Sequence, residues 1–182
     1  MKRIIAFIVT VFVCANLFAQ HISFMGIQLG QSELAFDRKL KEKGFHYCGI
    51  NNAKLTRMYE GKFWRFAEVT VNVESEDDKV TSVFVGLPYN GAYYKIPDYN
   101  LLVHYLDEKY GTHHPISNFF KYSDISGQSG FYWKTAGGYI VAYYIHYPTD
   151  YERITISMRY MDNTNHRVLL ERGNKRNTEN DL

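Results

Sequence analysis

The sequence predicts an α+β fold, in which a mostly antiparallel sheet carries helices packed on one of its faces. Three observations support this prediction. Two segments have the periodicity of amphipathic helices, and each is followed by several segments with the alternation of β-strands. Short turns join the strand-like segments, which favours antiparallel hairpins over parallel crossovers. The resulting order, helix then strands and again helix then strands, predicts a tandem duplication of one module.

The start of the 182-residue chain has the features of an export signal. Lys2 and Arg3 precede an apolar run, Ile4–Val13, that is too short to span a membrane. We therefore predict a signal peptide at residues 1–19 and a periplasmic or secreted protein that is soluble once processed. Lipid anchoring through Cys14 is the less favoured alternative, because a valine and not a small residue precedes that cysteine.

Charge and cysteine content narrow the classes of function. The chain has 21 basic and 19 acidic side chains, and loss of Lys2 and Arg3 with the signal peptide makes the two numbers equal. A balanced charge does not favour nucleic acid as a partner. Cys48 is the one cysteine left in the processed chain, so the fold cannot depend on an internal disulfide.

Residues 20–90 are predicted to form the first module, which begins with a helix. Ser32 is a suitable N-cap for this helix, and Gly44 is expected to end it. Phe36 and Leu40 lie one turn apart on its apolar face. Four predicted strands follow: Phe45–Ile50, Lys54–Glu60, Phe63–Val73 and Lys79–Leu87. The acidic turn before the fourth strand lacks the ligand spacing of a calcium-binding loop, so no metal site is predicted there.

Residues 91–161 are predicted to form the second module. A loop rich in tyrosine leads into its helix, and Gly111 is expected to end that helix. The apolar stripe of the helix consists of Leu102, Val103, Leu106 and Tyr110. The predicted strands of this module are Phe131–Thr135, Tyr139–Tyr147 and Glu152–Tyr160. Residues 162–182 are predicted to form a short C-terminal helix and a polar tail.

A sheet covered by helices on one face leaves its other face free to bind a partner. The alternation of side chains along the strands predicts six partner-binding residues on that free face: Trp64, Phe66, Tyr144, His146, Arg153 and Arg159. Aromatic and arginine side chains are enriched where proteins bind their partners. In an alternative interpretation, a β-bulge reverses the alternation near Trp64 and Phe66 and places both in the core.

Enzymatic interpretations have less support in the sequence. A hydrolase would need Cys48 as its nucleophile beside one of four histidines, namely His46, His104, His113 and His114. A lone cysteine more often acts as a small apolar residue inside the core, which is the interpretation we favour. The adjacent pair of histidines in this set has no further ligand at suitable spacing, so we predict no catalytic residues, no metal site and no cofactor.

Glycine and apolar positions of the two helices carry a resemblance to a known fold. The positions are Gly30, Leu34, Phe36, Leu40 and Gly44, and more faintly Leu102, Leu106 and Gly111. The pattern resembles uncharacterised small secreted proteins of Gram-negative bacteria with a beta-lactamase-inhibitor-protein-like repeat of one helix and a four-stranded sheet. It is also similar to small envelope lipoproteins of the outer-membrane assembly type. The resemblance implies a binding module that uses a sheet face, but it does not imply inhibition of a beta-lactamase.

Three hypotheses of function follow from the sequence. The first is a periplasmic or secreted, non-enzymatic module that binds a protein or a glycan on the free sheet face and on the tyrosine-rich loop. The second is a structural or assembly component of the cell envelope. The third, with the least support, is a hydrolase that uses Cys48 and a histidine.

Overall fold

The computed structural model describes residues 21–52, 55–87, 94–116, 129–147 and 150–163. The predicted signal peptide and the predicted polar tail beyond residue 163 lie outside these ranges. So does most of the tyrosine-rich loop, from residue 88 to residue 93.

The two helices of the described chain begin and end close to where the sequence predicts. Helix α1 spans Glu33–Glu42, and the Ser32 hydroxyl accepts a hydrogen bond from the Ala35 backbone N–H at 3.3 Å, as expected of an N-cap. Helix α2 spans Ile96–Tyr110, and the Asp98 carboxylate accepts from the backbone N–H just before the helix.

Ten strands accompany the helices in the described residues. They are β1 Ser23–Phe24, β2 Ile27–Gln28, β3 His46–Asn51, β4 Thr56–Phe63, β5 Phe66–Glu76, β6 Lys79–Leu87, β7 His114–Pro115, β8 Ser129–Thr135, β9 Gly138–Tyr147 and β10 Asp150–Asp162. Strand β10 continues through Asp162, where the sequence predicts the start of a C-terminal helix.

Strands β3 to β10 form one eight-stranded sheet in the order β3-β4-β5-β6-β10-β9-β8-β7. Every pair of neighbours is antiparallel, which confirms the predicted α+β class with its antiparallel sheet. Helix α1 precedes the meander β3–β6 and helix α2 precedes the meander β7–β10, and the two meanders meet where β6 pairs with β10. The order of elements therefore repeats, while a duplication of one module stays a prediction.

Both helices cover the same face of the sheet. Phe36 and Leu40 of α1 and Leu102 and Leu106 of α2 are fully buried in a single apolar cluster. The sheet contributes alternate side chains of its central strands to this cluster: Val69, Val71, Val73, Val83, Val85, Leu87, Ile154, Ile156, Met158 and Tyr160. Burial of this continuous apolar surface is the main stabilisation of the fold, since Cys48, the one cysteine among the described residues, is free.

The hairpin β1–β2 closes one end of this core. Met25 and Gly26 at its turn both have positive φ, as a two-residue type I′ turn requires. The ring of Phe24 lies 5.5 Å from that of Phe63 and 5.2 Å from that of Tyr160. The hairpin thus fixes an aromatic cluster where β4 and β10 approach each other.

One predicted strand, Phe63–Val73, is interrupted in the structure. The chain turns at Trp64 and Arg65, so that β4 ends at Phe63 and β5 begins at Phe66. Gly61, which stands between two of the predicted strands, lies inside β4 under the ring of Phe45 and forms no turn. A Cβ at Gly61 would lie 2.5 Å from that ring, so the glycine serves close packing there.

Candidate functional site

The face of the eight-stranded sheet that lies opposite the helices, here called the open face, is the candidate binding surface. Two parallel rows of side chains cross its centre, because paired residues of neighbouring strands lie side by side. Asn72, Phe84 and Arg159 form one row on β5, β6 and β10. The second row consists of Thr70, Gly86 and Ser157, and it continues to Tyr143 on β9. Among the described residues, neither helix covers these rows.

Arg159 is held in place on the open face by its neighbours. Its guanidinium pairs with the Glu74 carboxylate and donates to the Ser82 hydroxyl at 3.3 Å. The Ser82 hydroxyl in turn donates to Glu74. Because 41% of the Arg159 side chain is still exposed, it keeps surface for a ligand while its position is set from two other strands.

A second, smaller apolar cluster lies on the open face near β8 and β9. Ile116, Val141 and Met161 are buried in it, and three half-buried tyrosines surround them: Tyr132, Tyr139 and Tyr143. Burial raises the pKa of Tyr143, although a hydrogen bond with Ser157 and the charge of Arg159 act in the opposite direction. Tyr143 therefore keeps its proton at neutral pH and can donate or accept a hydrogen bond at the edge of the polar rows.

Two of the six predicted binding residues lie on the open face. Arg153 and Arg159 alternate with the buried Ile154, Ile156 and Met158 along β10, as the sequence predicts. Whether either arginine contacts a partner stays a prediction.

Tyr144 and His146 lie on the helix-covered face, which corrects their predicted placement. Tyr144 pairs with the buried Ile156 in register, and its ring lies 4.8 Å from that of Tyr99 of α2. The His146 ring lies 5.4 Å from the Tyr144 ring on the same side. Strand β9 carries apolar side chains on both faces, since Val141 is buried in the second cluster, and so its hydrophobic pattern cannot show which face is covered.

Trp64 and Phe66 are also absent from the open face. Phe66 is buried in the main core, where its ring lies 4.8 Å from that of Tyr94. Trp64 stacks on Tyr105 of α2 with ring centroids 5.1 Å apart. The pairing of β4 with β5 shifts register between Gly61 and Phe63, so the structure supports the alternative in which an irregularity near these residues turns them towards the core.

The centre of the open face consists of residues outside the predicted set. Asn72, Phe84 and Gly86 belong to it, and none of them is among the six predicted binding residues. The signal was present in β6, where Phe84 and Gly86 alternate with the buried Val83 and Val85. Phe84 is a single aromatic residue among valines, but its position in the alternation of β6 shows that it faces away from the helices.

The arrangement around Cys48 differs from the expected buried cysteine. Its side chain is exposed on β3, and the thiol donates to the His46 carbonyl oxygen at 3.4 Å. Partial desolvation of the sulfur atom and the nearby Glu60 carboxylate raise the pKa of this thiol, whereas an activated nucleophile needs a lowered one. His113 is engaged elsewhere, with its Nδ1 2.9 Å from the Asp107 carboxylate. This geometry does not favour the hydrolase hypothesis.

Within the described ranges, no three histidine, cysteine or acidic side chains come together in a way that could hold a metal ion. No helix of the described chain has the length and apolar character needed to cross a membrane.

Comparison with models of known protein families, with curated proteins and with solved structures found no match for this chain. The resemblance to a beta-lactamase-inhibitor-protein-like repeat therefore stays an expectation from the sequence.

Proposed function

We propose that this protein is an exported, non-enzymatic binding module that recognises a protein or a glycan through the open face of its sheet. The observation that carries the proposal is the pair of rows at the centre of that face. They combine an aromatic ring, a held arginine and several hydroxyl and amide groups on rigid central strands. Aromatic and arginine side chains fixed in this way bind partners at a low cost in conformational entropy.

Gly86 supports this proposal because the fold does not require a glycine there. A Cβ at this position would meet the Phe84 ring at 3.6 Å and the Thr70 carbonyl oxygen at 3.9 Å, which are ordinary contacts. A glycine inside a strand weakens the strand and often marks a place where another molecule approaches the backbone. Here the absence of a side chain leaves room for a methyl group next to Ser157, the register partner of Gly86.

The substitution Gly86→Ala tests the proposal. We expect the added methyl group to fill this space and to weaken partner binding at least ten-fold. We also expect Tm to stay the same or to rise, because alanine loses less backbone entropy on folding, worth about 0.5–1 kcal/mol. Binding would be measured by passing solubilised cell-envelope fractions and purified envelope glycans over the immobilised protein.

Protease treatment of the fractions would identify a protein partner, and mild periodate oxidation would identify a glycan. Arg159→Ala should also weaken partner binding. Arg38→Ala, which removes an arginine from the exposed side of α1, is its matched control and should bind as the wild type does. Unchanged binding by both Gly86→Ala and Arg159→Ala would show that the contact surface is elsewhere.

The exposed edge strand β3 favours a second candidate, an assembly component of the envelope. No other described strand pairs with the outer edge of β3, and Tyr47 and Ile50 are 41% and 54% exposed on it. Such an edge can pair with a strand of another chain. This candidate predicts self-association of the purified protein in sedimentation experiments, which the open-face proposal does not require.

A further inference from the structure

The hairpin turn between β4 and β5 has an unusual residue at its first position. Trp64 has φ +51°, in a region that bulky side chains rarely adopt and where glycine would be expected. Strained backbone of this kind is concentrated at ligand-binding sites, where the surrounding structure holds it. Here the Trp64 ring stacks on Tyr105 at an interplanar angle of 24° and still remains 37% exposed.

Trp64 lies at a cavity of about 220 Å³ on the helix side of the sheet. The lining residues come from the β1–β2 turn, β4, the β4–β5 turn, α2 and β10. They are Met25, Phe63, Trp64, Tyr105, Lys109 and Tyr160. Five of the six are apolar or aromatic, so the cavity suits a compact molecule with a flat face.

Lys109 is the one charged side chain among the described lining residues. Its ammonium lies 5.1 Å from the centroid of the Tyr110 ring and 5.9 Å from that of Tyr105. No carboxylate of the described chain pairs with it. Burial lowers the pKa of Lys109, but interactions with the hydroxyl groups of Tyr110 and Tyr105 outweigh this effect and raise the pKa, so the side chain is a cation at neutral pH.

A second polar group lies next to Lys109. The Tyr110 hydroxyl is buried, and although it lies close to the Lys109 ammonium and the Tyr160 hydroxyl, it forms no hydrogen bond of normal geometry with any described residue. Buried polar groups are nearly always hydrogen-bonded, so an unsatisfied one is a sign of a missing partner. Tyr110 does not line the cavity, so the group that an anionic ligand in the cavity would satisfy is the Lys109 ammonium.

We propose that this cavity binds a small molecule that carries a single carboxylate on a compact ring, with the ring against Trp64 and the carboxylate at Lys109. One lysine in an apolar lining suits a single negative charge, because a second charge would be buried without a partner. The site lies on the opposite side of the sheet from the open face and does not depend on the proposed function.

Titration of the purified protein with benzoate, glucuronate and the neutral benzamide tests the proposal, with tryptophan fluorescence and calorimetry as readouts. We expect saturable binding of benzoate if the natural ligand is an aromatic acid, or of glucuronate if it is an acidic sugar, and at least ten-fold weaker binding of benzamide. Lys109→Gln should weaken binding of the carboxylate at least ten-fold. Lys134→Gln, at an exposed position of β8, is the matched control and should not change it.

Trp64→Gly separates binding from folding, because glycine adopts the positive φ of this turn without strain. We expect this variant to lose binding while its Tm stays within a few degrees of the wild type. The proposal is overturned if neither carboxylate binds saturably, if benzamide binds as tightly as benzoate, or if Lys134→Gln weakens binding as much as Lys109→Gln. A large fall in Tm of Trp64→Gly combined with unchanged binding would also overturn it, since the ring would then act in the core alone.

Discussion

At the scale of single residues, Gly26 and Gly30 are both glycine, but for different physical reasons. Gly26 and Gly30 both have positive φ, but a Cβ at Gly26 would meet nothing within 4 Å. A Cβ at Gly30 would lie 2.4 Å from the ring of His21, whose Nδ1 is 2.5 Å from the buried carboxylate of Asp162. Gly30 therefore allows the start of the described chain to reach the end of β10.

This difference predicts that substitution by alanine lowers the free energy of unfolding more at Gly30 than at Gly26. Gly26→Ala should lower the free energy of unfolding by about 1 kcal/mol, the cost of a left-handed backbone with a Cβ. Gly30→Ala should lower it by about 2–3 kcal/mol, because it also displaces His21 from a hydrogen bond to a buried charge. Urea denaturation measures the free energy of unfolding of both variants. Equal losses would mean that the contact of His21 with Asp162 does not contribute to stability.

At the scale of elements, a polar cluster joins α1 to the sheet. The Asp37 carboxylate of α1 is 7% exposed and accepts from the Tyr59 hydroxyl of β4 and from the Lys41 ammonium, both at 2.9 Å. Arg57 of β4 pairs with Glu33 at the start of the same helix. Burial acts to raise the pKa of Asp37, but the contacts with Lys41, Tyr59 and Arg57 outweigh it, so the pKa is lowered.

The lowered pKa predicts how the stability of this junction depends on pH. A carboxyl whose pKa is lower in the folded than in the unfolded state stabilises the fold above its ordinary value of 3.8, and this contribution is lost as the pH falls through the folded-state pKa. Asp37→Asn should therefore cost about 1–2 kcal/mol at pH 7 and much less at pH 3. Urea denaturation at pH 7, 4 and 3 tests this expectation, which a difference that stays constant over this range would contradict.

At the scale of the whole molecule, both halves of the sheet share one core. Helices α1 and α2 contribute to the same apolar cluster, and β10 of the second half pairs with β6 of the first. Domains built on a single core usually unfold in one cooperative transition. We expect the same here, even though the order of elements repeats.

Met158→Ala tests this expectation, because Met158 is fully buried in β10 at the junction of the two halves. The cavity should cost about 2–5 kcal/mol. Hydrogen exchange should show amide protection decreasing together in β4, β5, β8 and β9. Loss of protection confined to β8, β9 and β10 would instead show that the halves unfold separately.

Most element positions could be predicted from the sequence, and the exceptions have physical causes. The cap at Ser32 and the end of α2 before Gly111 are confirmed, because each depends on residues within one turn of the chain. The turn at Trp64 and Arg65 was missed, because no glycine, proline or asparagine marks it and packing on Tyr105 stabilises it. The predicted placement on the open face is wrong for Tyr144 for a related reason, since Tyr144 belongs to a strand with apolar side chains on both faces.

The sequence by itself determined the class of fold, the two helices and seven of the ten described strands, since periodicity and capping act over a few neighbouring residues. Only the tertiary structure decided which side chains share the open face and which line the cavity beside Trp64. Those placements depend on strand register and on contacts between residues far apart in the chain, such as β6 with β10 and Trp64 with Tyr105. A one-residue change of register moves a side chain to the opposite face, so local patterns cannot determine it where both faces of a strand are apolar.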